Sequence, residues 1–216
     1  MISFILGLVS IFCAGFILGS IIYKTYFVKL LSAFAFVFLF CKFSFSFQFI
    51  IFALLIFLLI YVSVIDYFYK IIPVIFPTFL IVFGIFSSFV NSILGGIWLL
   101  RFINSFLGAI MGGGVLFIVR ISGWLIYKKE TMGLGDVKLM VAVGTFIGCE
   151  KVLLALFIAV LFGSITGLVF IIFKKIKKNG YIPFGPFLSV ASFIVLFIPK
   201  LSSFFNVPFI WEKCIL

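Results

Sequence analysis

Asp66 and Asp136 are the only aspartates in the 216-residue chain, and each stands beside a long apolar run. Asp66 closes one run in Val64-Ile65-Asp66-Tyr67, and Asp136 opens another in Met132-Gly133-Leu134-Gly135-Asp136-Val137-Lys138. Two carboxylates within reach of each other cannot both ionise cheaply; they share a proton and titrate as a pair. One can then activate a water while the other, protonated, polarises a carbonyl. That chemistry needs no histidine, and the chain has none. Gly133 and Gly135 lack a Cβ, which permits positive φ and a close approach of a substrate strand or of the partner carboxylate to Asp136. Each acid also has a plain structural reading. Asp136 can be an N-cap or first-turn acid at a helix start, and Asp66 an interfacial residue marking the end of a span.

The elements that must position these residues are membrane helices. Hydrophobic residues make up 66% of the chain and charged residues 10%, with a mean hydropathy of +1.51. A soluble domain carries about a quarter charged residues, so a water-soluble enzyme is excluded, as is a disordered chain. Continuous apolar runs such as Phe49–Ile65 lack the alternation of a transmembrane barrel. The expected fold is an all-α, polytopic transmembrane helix bundle, a single domain over residues 1–216 with no separate soluble domain. Eight spans are expected, at 2–23, 30–47, 49–65, 73–91, 103–127, 137–149, 152–173 and 182–199, with the second and third joined around Phe47–Gln48. Arg120 lies inside the fifth.

Orientation follows from the basic residues. With both termini outside, ten of the 16 Lys and Arg fall on inner segments, including Lys174, Lys175, Lys177 and Lys178, and five on outer ones. The basic run there reads first as a stop signal against anionic headgroups. This N-out, C-out arrangement puts Asp66 and Asp136 at the same, cytoplasmic face. Glu130 shares the loop of Asp136, while Glu150 and Glu212 fall outside as surface charge. An ionisable residue at membrane depth is a functional candidate by default.

Cys13, Cys41, Cys149 and Cys214 are scattered and form no CxxC. Neither a zinc site nor a disulfide framework is expected; they read as small apolar residues in a bundle. No metal, no cofactor and no nucleic-acid partner is expected. Gly112-Gly113-Gly114 and Gly163-Ser164 read as close helix-packing sites.

Gly133-Leu134-Gly135-Asp136 matches the GxGD signature of intramembrane aspartyl proteases. The longer stretch Gly133–Met140 (GLGDVKLM) resembles the GxGDxK segment of type IV prepilin peptidases, and Ile182–Phe187 (IPFGPF) is similar to a block near the end of that family. Asp66 followed by Pro73 resembles the family's first-aspartate motif, and Gly15–Ser20 (GFILGS) the end of its first span. The resemblance is strong over residues 55–200. It implies an integral protein of the inner (cytoplasmic) membrane that cleaves the short basic leader of prepilin, preflagellin or pseudopilin substrates after a Gly at the cytoplasmic face. Asp66 and Asp136 would be the catalytic pair. Gly133, Gly135, Lys138, Glu130, Pro183, Gly185 and Pro186 would support them: Lys138 by holding the loop or tuning the pair, and the Pro-Gly-Pro block by breaking the start of the last span near the site. On the residues alone, Glu130 reads equally as a solvated loop acid, Lys138 as a snorkelling side chain at a helix start and the prolines as simple helix initiators. Activity at acid pH and insensitivity to chelators would follow.

Two features depart from the family. Many bacterial members carry a cytosolic domain with paired CxxC motifs after the first span, associated with N-methylation of the product. Here only Ile22–Lys29 separates the first two spans, without cysteines, so no zinc and no S-adenosylmethionine-dependent methylation is expected. An acid often follows the proline after the first aspartate, whereas here Pro73 precedes Val74. Two other readings stay open on the residues alone: a small proton-linked transporter with the aspartates as relay groups, and a non-catalytic component of a pilus or secretion machine.

Overall fold

A computed structural model describes residues 2–22, 26–128, 132–173 and 183–198. These form seven α-helices: α1 (Ile2–Ile22), α2 (Tyr26–Phe43), α3 (Phe47–Tyr69), α4 (Ile75–Ser87), α5 (Trp98–Tyr127), α6 (Leu134–Ile172) and α7 (Gly185–Phe197), with a 3-10 turn at Ser92–Leu94. No strand occurs among the described residues. Four helices, α2, α3, α5 and α6, are long and apolar enough to cross a membrane. The outward surface is apolar, with Phe27, Phe86 and Ile126 at least 70% exposed, as suits side chains that meet lipid rather than water. The chain is a multi-pass membrane protein.

Several boundaries move from those expected. The break between the second and third helices falls at 44–46, not at Phe47–Gln48, because Ser44 adopts φ 51° and the Ser46 side chain caps α3 by accepting from the Phe49 N–H. α3 runs one turn past Asp66 and stops at Lys70, whose left-handed backbone (φ 56°) lets its N–H donate to the Asp66 carbonyl at 2.9 Å. Asp66 is therefore inside the last turn of a helix rather than after it. α4 and α7 have 13 residues each, about 20 Å of helix, shorter than the spans 73–91 and 182–199.

α6 has 39 residues. As a straight rod it would measure about 58 Å, far more than a hydrocarbon core of about 30 Å. It is not straight. Gly148 has φ 80° and ψ 175°, a backbone region open essentially to glycine alone. A Cβ placed on Gly112 of α5 would lie 2.5 Å from the Met140 carbonyl oxygen and 2.8 Å from Val152 Cγ2. Residues twelve apart thus meet the same point on α5, so the two arms of α6 fold back beside each other. The division expected between 137–149 and 152–173 falls at Gly148.

Glycine also explains how closely α6 approaches α5. A Cβ on Gly144 would sit 2.1 Å from the Gly108 oxygen, and one on Gly108 would sit 2.2 Å from the Gly144 oxygen. The two backbones touch where apolar helices gain contact only by shape. Within the expected packing sites, Gly112 and Gly113 are in this seam, Gly114 has nothing within 4 Å, and Gly163 faces the Phe184 and Phe187 rings. A second close pair joins α1 to α2, where Gly15 abuts Ala33 and Ser32 Oγ donates to the Gly15 carbonyl at 2.7 Å.

The break at Gly148 frees carbonyls that a continuous helix would use. In an apolar core each must find another donor. Ser105 Oγ donates to the Thr145 carbonyl at 2.8 Å, and Asn91 Nδ2 donates to the Phe146 carbonyl at 2.8 Å. Both side chains are buried.

Candidate active site

Asp66 comes from the last turn of α3. Asp136 is the third residue of α6, in its first helical turn. Both are only 2% exposed. The two carboxyls are near enough for the charge of one to act on the other. The chain therefore brings together its only two aspartates, 70 positions apart, inside the bundle.

Each carboxylate meets the start of a helix. α7 begins at Gly185 and has no side-chain cap of its own, since Phe184 occupies that position. The first N–H groups of a helix lack intrahelical acceptors and carry the positive end of its dipole. The Gly185 N–H donates to Asp66 Oδ2 at 2.8 Å, so Asp66 caps α7 from another helix. Asp136 turns back toward the start of its own helix, with the Gly133 N–H against its carboxylate, the acidic half of a capping box. Its other oxygen, Oδ1, is buried without a hydrogen-bond partner.

The glycines make this convergence possible. A Cβ on Gly185 would lie 2.7 Å from Asp66 Oδ2, and one on Gly135 would lie 2.5 Å from Ile72 Cβ. Gly135 thus lets the first turn of α6 settle on the segment that leaves α3, just beyond Asp66. The expectation that these glycines supply positive φ is corrected. Gly133 has φ −69°, and Gly135 is helical. What Gly135 supplies is closeness, and the neighbour it admits is Ile72, while Gly133 faces the Asp136 carboxylate.

The remaining expected residues divide. Pro186 occupies the first turn of α7, where its missing N–H costs nothing. Pro183 precedes the helix half-buried. Both prolines thus lie at the start of α7. Lys138 is half-buried on α6 and does not bridge to the Asp136 Oδ1 atom. Glu130 lies outside the described residues, as do Lys174–Lys178, Ile182, Glu212 and Cys214. Among the described residues no three Cys, Asp or Glu side chains gather as a metal site would require. Sequence reasoning misses Ile72, Asn91 and Ser105, and also Arg120, whose Nη1 donates to the Met132 carbonyl at 2.7 Å. For Asn91, Ser105 and Arg120 the available signal is a polar residue among apolar ones, and Ile72 carries none.

The fold and site define a multi-helix membrane protein built around a buried aspartate pair. Residues 53–168, which include both aspartates, match the model of the type IV leader peptidase family. The chain belongs to that family. Similar relatives include proteins named prepilin leader peptidase/N-methyltransferase. That of Xanthomonas campestris is 33% identical over 93 residues, covering 41% of this chain and 32% of the relative. That of Aeromonas salmonicida is 34% identical over 93 residues, covering 43% and 32%. That of Stutzerimonas stutzeri is 32% identical over 110 residues, covering 46% and 38%. The matched segments thus span about a third of those relatives' own length. No solved structure matches significantly.

Proposed function

We propose that the chain is an intramembrane aspartic endopeptidase that cleaves the short basic leader of prepilin-like substrates after a Gly at the cytoplasmic face. The observation that carries this is the burial of Asp66 and Asp136 together within the family's matched segment. In this reading one carboxylate takes a proton from water as the oxygen adds to the scissile carbonyl carbon. The other, protonated, donates to the carbonyl oxygen. Collapse of the tetrahedral species breaks the C–N bond, and the amine leaves with a proton returned through the pair. The helix starts that face Asp66 and Asp136 add fixed positive dipoles beside the charge that the pair must hold.

The reading includes eight crossings, with both termini outside, in the inner membrane. The folded arms of α6 supply two of these, and the basic bias of the sequence supports the orientation. N-methylation is not part of the proposal: only residues 23–25 lie between α1 and α2, and they hold no cysteine. A transporter would need an open ion site at a helix break. At the break in α6 the Phe146 and Thr145 carbonyls are taken by Asn91 and Ser105.

The test is cleavage of a co-reconstituted prepilin by wild type, Asp66→Asn and Asp136→Asn. Wild type should cleave, and each variant should lose at least about a thousandfold, the scale on which removing a member of a catalytic unit acts. Full cleavage by either variant would sink the assignment of the pair.

A further inference from the structure

We propose that Arg120 is a positioning residue for Asp136, holding the entrance of α6 at the depth where Asp136 meets Asp66. The inference rests on the function proposed above. An arginine inside a long apolar helix is costly and calls for a specific partner. Arg120 is half-buried, and α5 continues past it for seven residues, to Tyr127, about 10 Å further along its axis. Yet its Nη1 reaches the Met132 carbonyl at 2.7 Å. Met132 therefore lies back alongside α5 just before α6 begins, and Arg120 ties it down there.

The tie falls at the entrance of α6, where Met132 also packs against the core. Met132 is followed by Gly133, the N-cap of α6, which has no side chain to cap the helix. Gly135 adds a second residue of high conformational freedom. Asp136 follows within the same turn. The packing of Gly135 against Ile72 constrains one side of this short segment, and Arg120 constrains another. The charged donor makes a stronger hydrogen bond than a neutral one, and a rigid guanidinium loses little freedom in making it.

The experiment pairs two measurements on the full chain in detergent or liposomes, with Arg120→Ala, Arg120→Gln and Arg120→Lys. The first is amide hydrogen exchange. In Arg120→Ala the amides of 133–137 should exchange at least about tenfold faster, while those of 187–197 keep the wild-type rate. The second is prepilin cleavage. A displaced carboxyl costs turnover rather than binding, so kcat should fall about ten- to a hundredfold while KM stays within about twofold. Arg120→Lys should recover part of both losses, more than Arg120→Gln does. Unchanged exchange at 133–137 in Arg120→Ala overturns the proposal whatever the cleavage result. So does faster exchange spread equally over α7, which would mark general loosening. If wild type does not cleave while Asp136 and Asp66 remain intact, the peptidase reading fails, and the exchange data still decide whether Arg120 holds the segment.

Discussion

The Gly185 N–H points at Asp66 Oδ2 from 2.8 Å, across 119 positions of sequence. A Cβ at Gly185 would stand 2.7 Å from the same oxygen. The hydrogen bond and the missing side chain are one requirement: α7 can approach the carboxylate so closely only while residue 185 is glycine. Gly185→Ala is expected to lower prepilin cleavage at least about tenfold, since about 1 Å of misplacement can cost about a hundredfold. Alanine is the better helix former by about 1 kcal/mol, so the loss would not come from a weaker α7. Cleavage kinetics alongside thermal unfolding would check this. Wild-type turnover in Gly185→Ala would contradict it.

Gly135 offers a sharper version of the same experiment. Its Cβ would collide with the Cβ of Ile72 at 2.5 Å, not merely with the flexible end of that side chain. Gly135→Ala should impair cleavage. Ile72→Ala keeps the offending atom and should not rescue it, whereas Ile72→Gly should restore part of the activity. Equal rescue by both would mean that the contact at Cβ is not the cause.

Asn91 and Ser105 make the fold in α6 tolerable. Removing either donor leaves a buried carbonyl unsatisfied, at a cost of about 1–3 kcal/mol. Asn91→Leu and Ser105→Ala should each lower the unfolding midpoint measured in detergent. Gly148→Ala forces a residue with a Cβ to φ 80°, at about 1–3 kcal/mol, and should do the same. A midpoint unchanged in all three would show that the break carries no such demand.

A carboxylate pair that works with a single shared proton gives a bell-shaped rate profile. Activity should fall on the acid side, where both groups are protonated, and on the alkaline side, where both are ionised. Rates measured across pH with and without EDTA check this. The chelator should leave the curve unchanged, and a rate abolished by it would count against a reaction carried by two carboxylates alone.

The aspartates and the helices that carry them were legible because apolar length and the scarcity of acid leave few arrangements. The same composition could not show how the helices meet. Gly135 reads in the sequence as a site of close approach, but its neighbour, Ile72, is not legible there; Gly108 and Gly144 bring two backbones together, and Gly185 admits the Asp66 carboxylate. Which backbones these are depends on tertiary packing. Gly148 looked like one more glycine before the expected outer loop at Glu150, and only its φ reveals that α6 turns there. Ser44 and Lys70 shifted helix ends by adopting left-handed backbone that side-chain type does not announce. Arg120 was visible as an oddity inside a span, but its partner is a backbone carbonyl, which any residue at position 132 would present.

A helix capped by another helix's acid also sets an order of events. Asp66 enters the membrane early, and the N–H that meets its Oδ2 belongs to a residue made 119 positions later. Until α7 docks, that carboxylate has lost its designed neighbour and the first turn of α7 has no cap. The half-built chain therefore holds one of its two central acids without the partner that places it. Docking of α7 thus completes the setting of Asp66 after its partner acid, Asp136 on α6, is already in the chain.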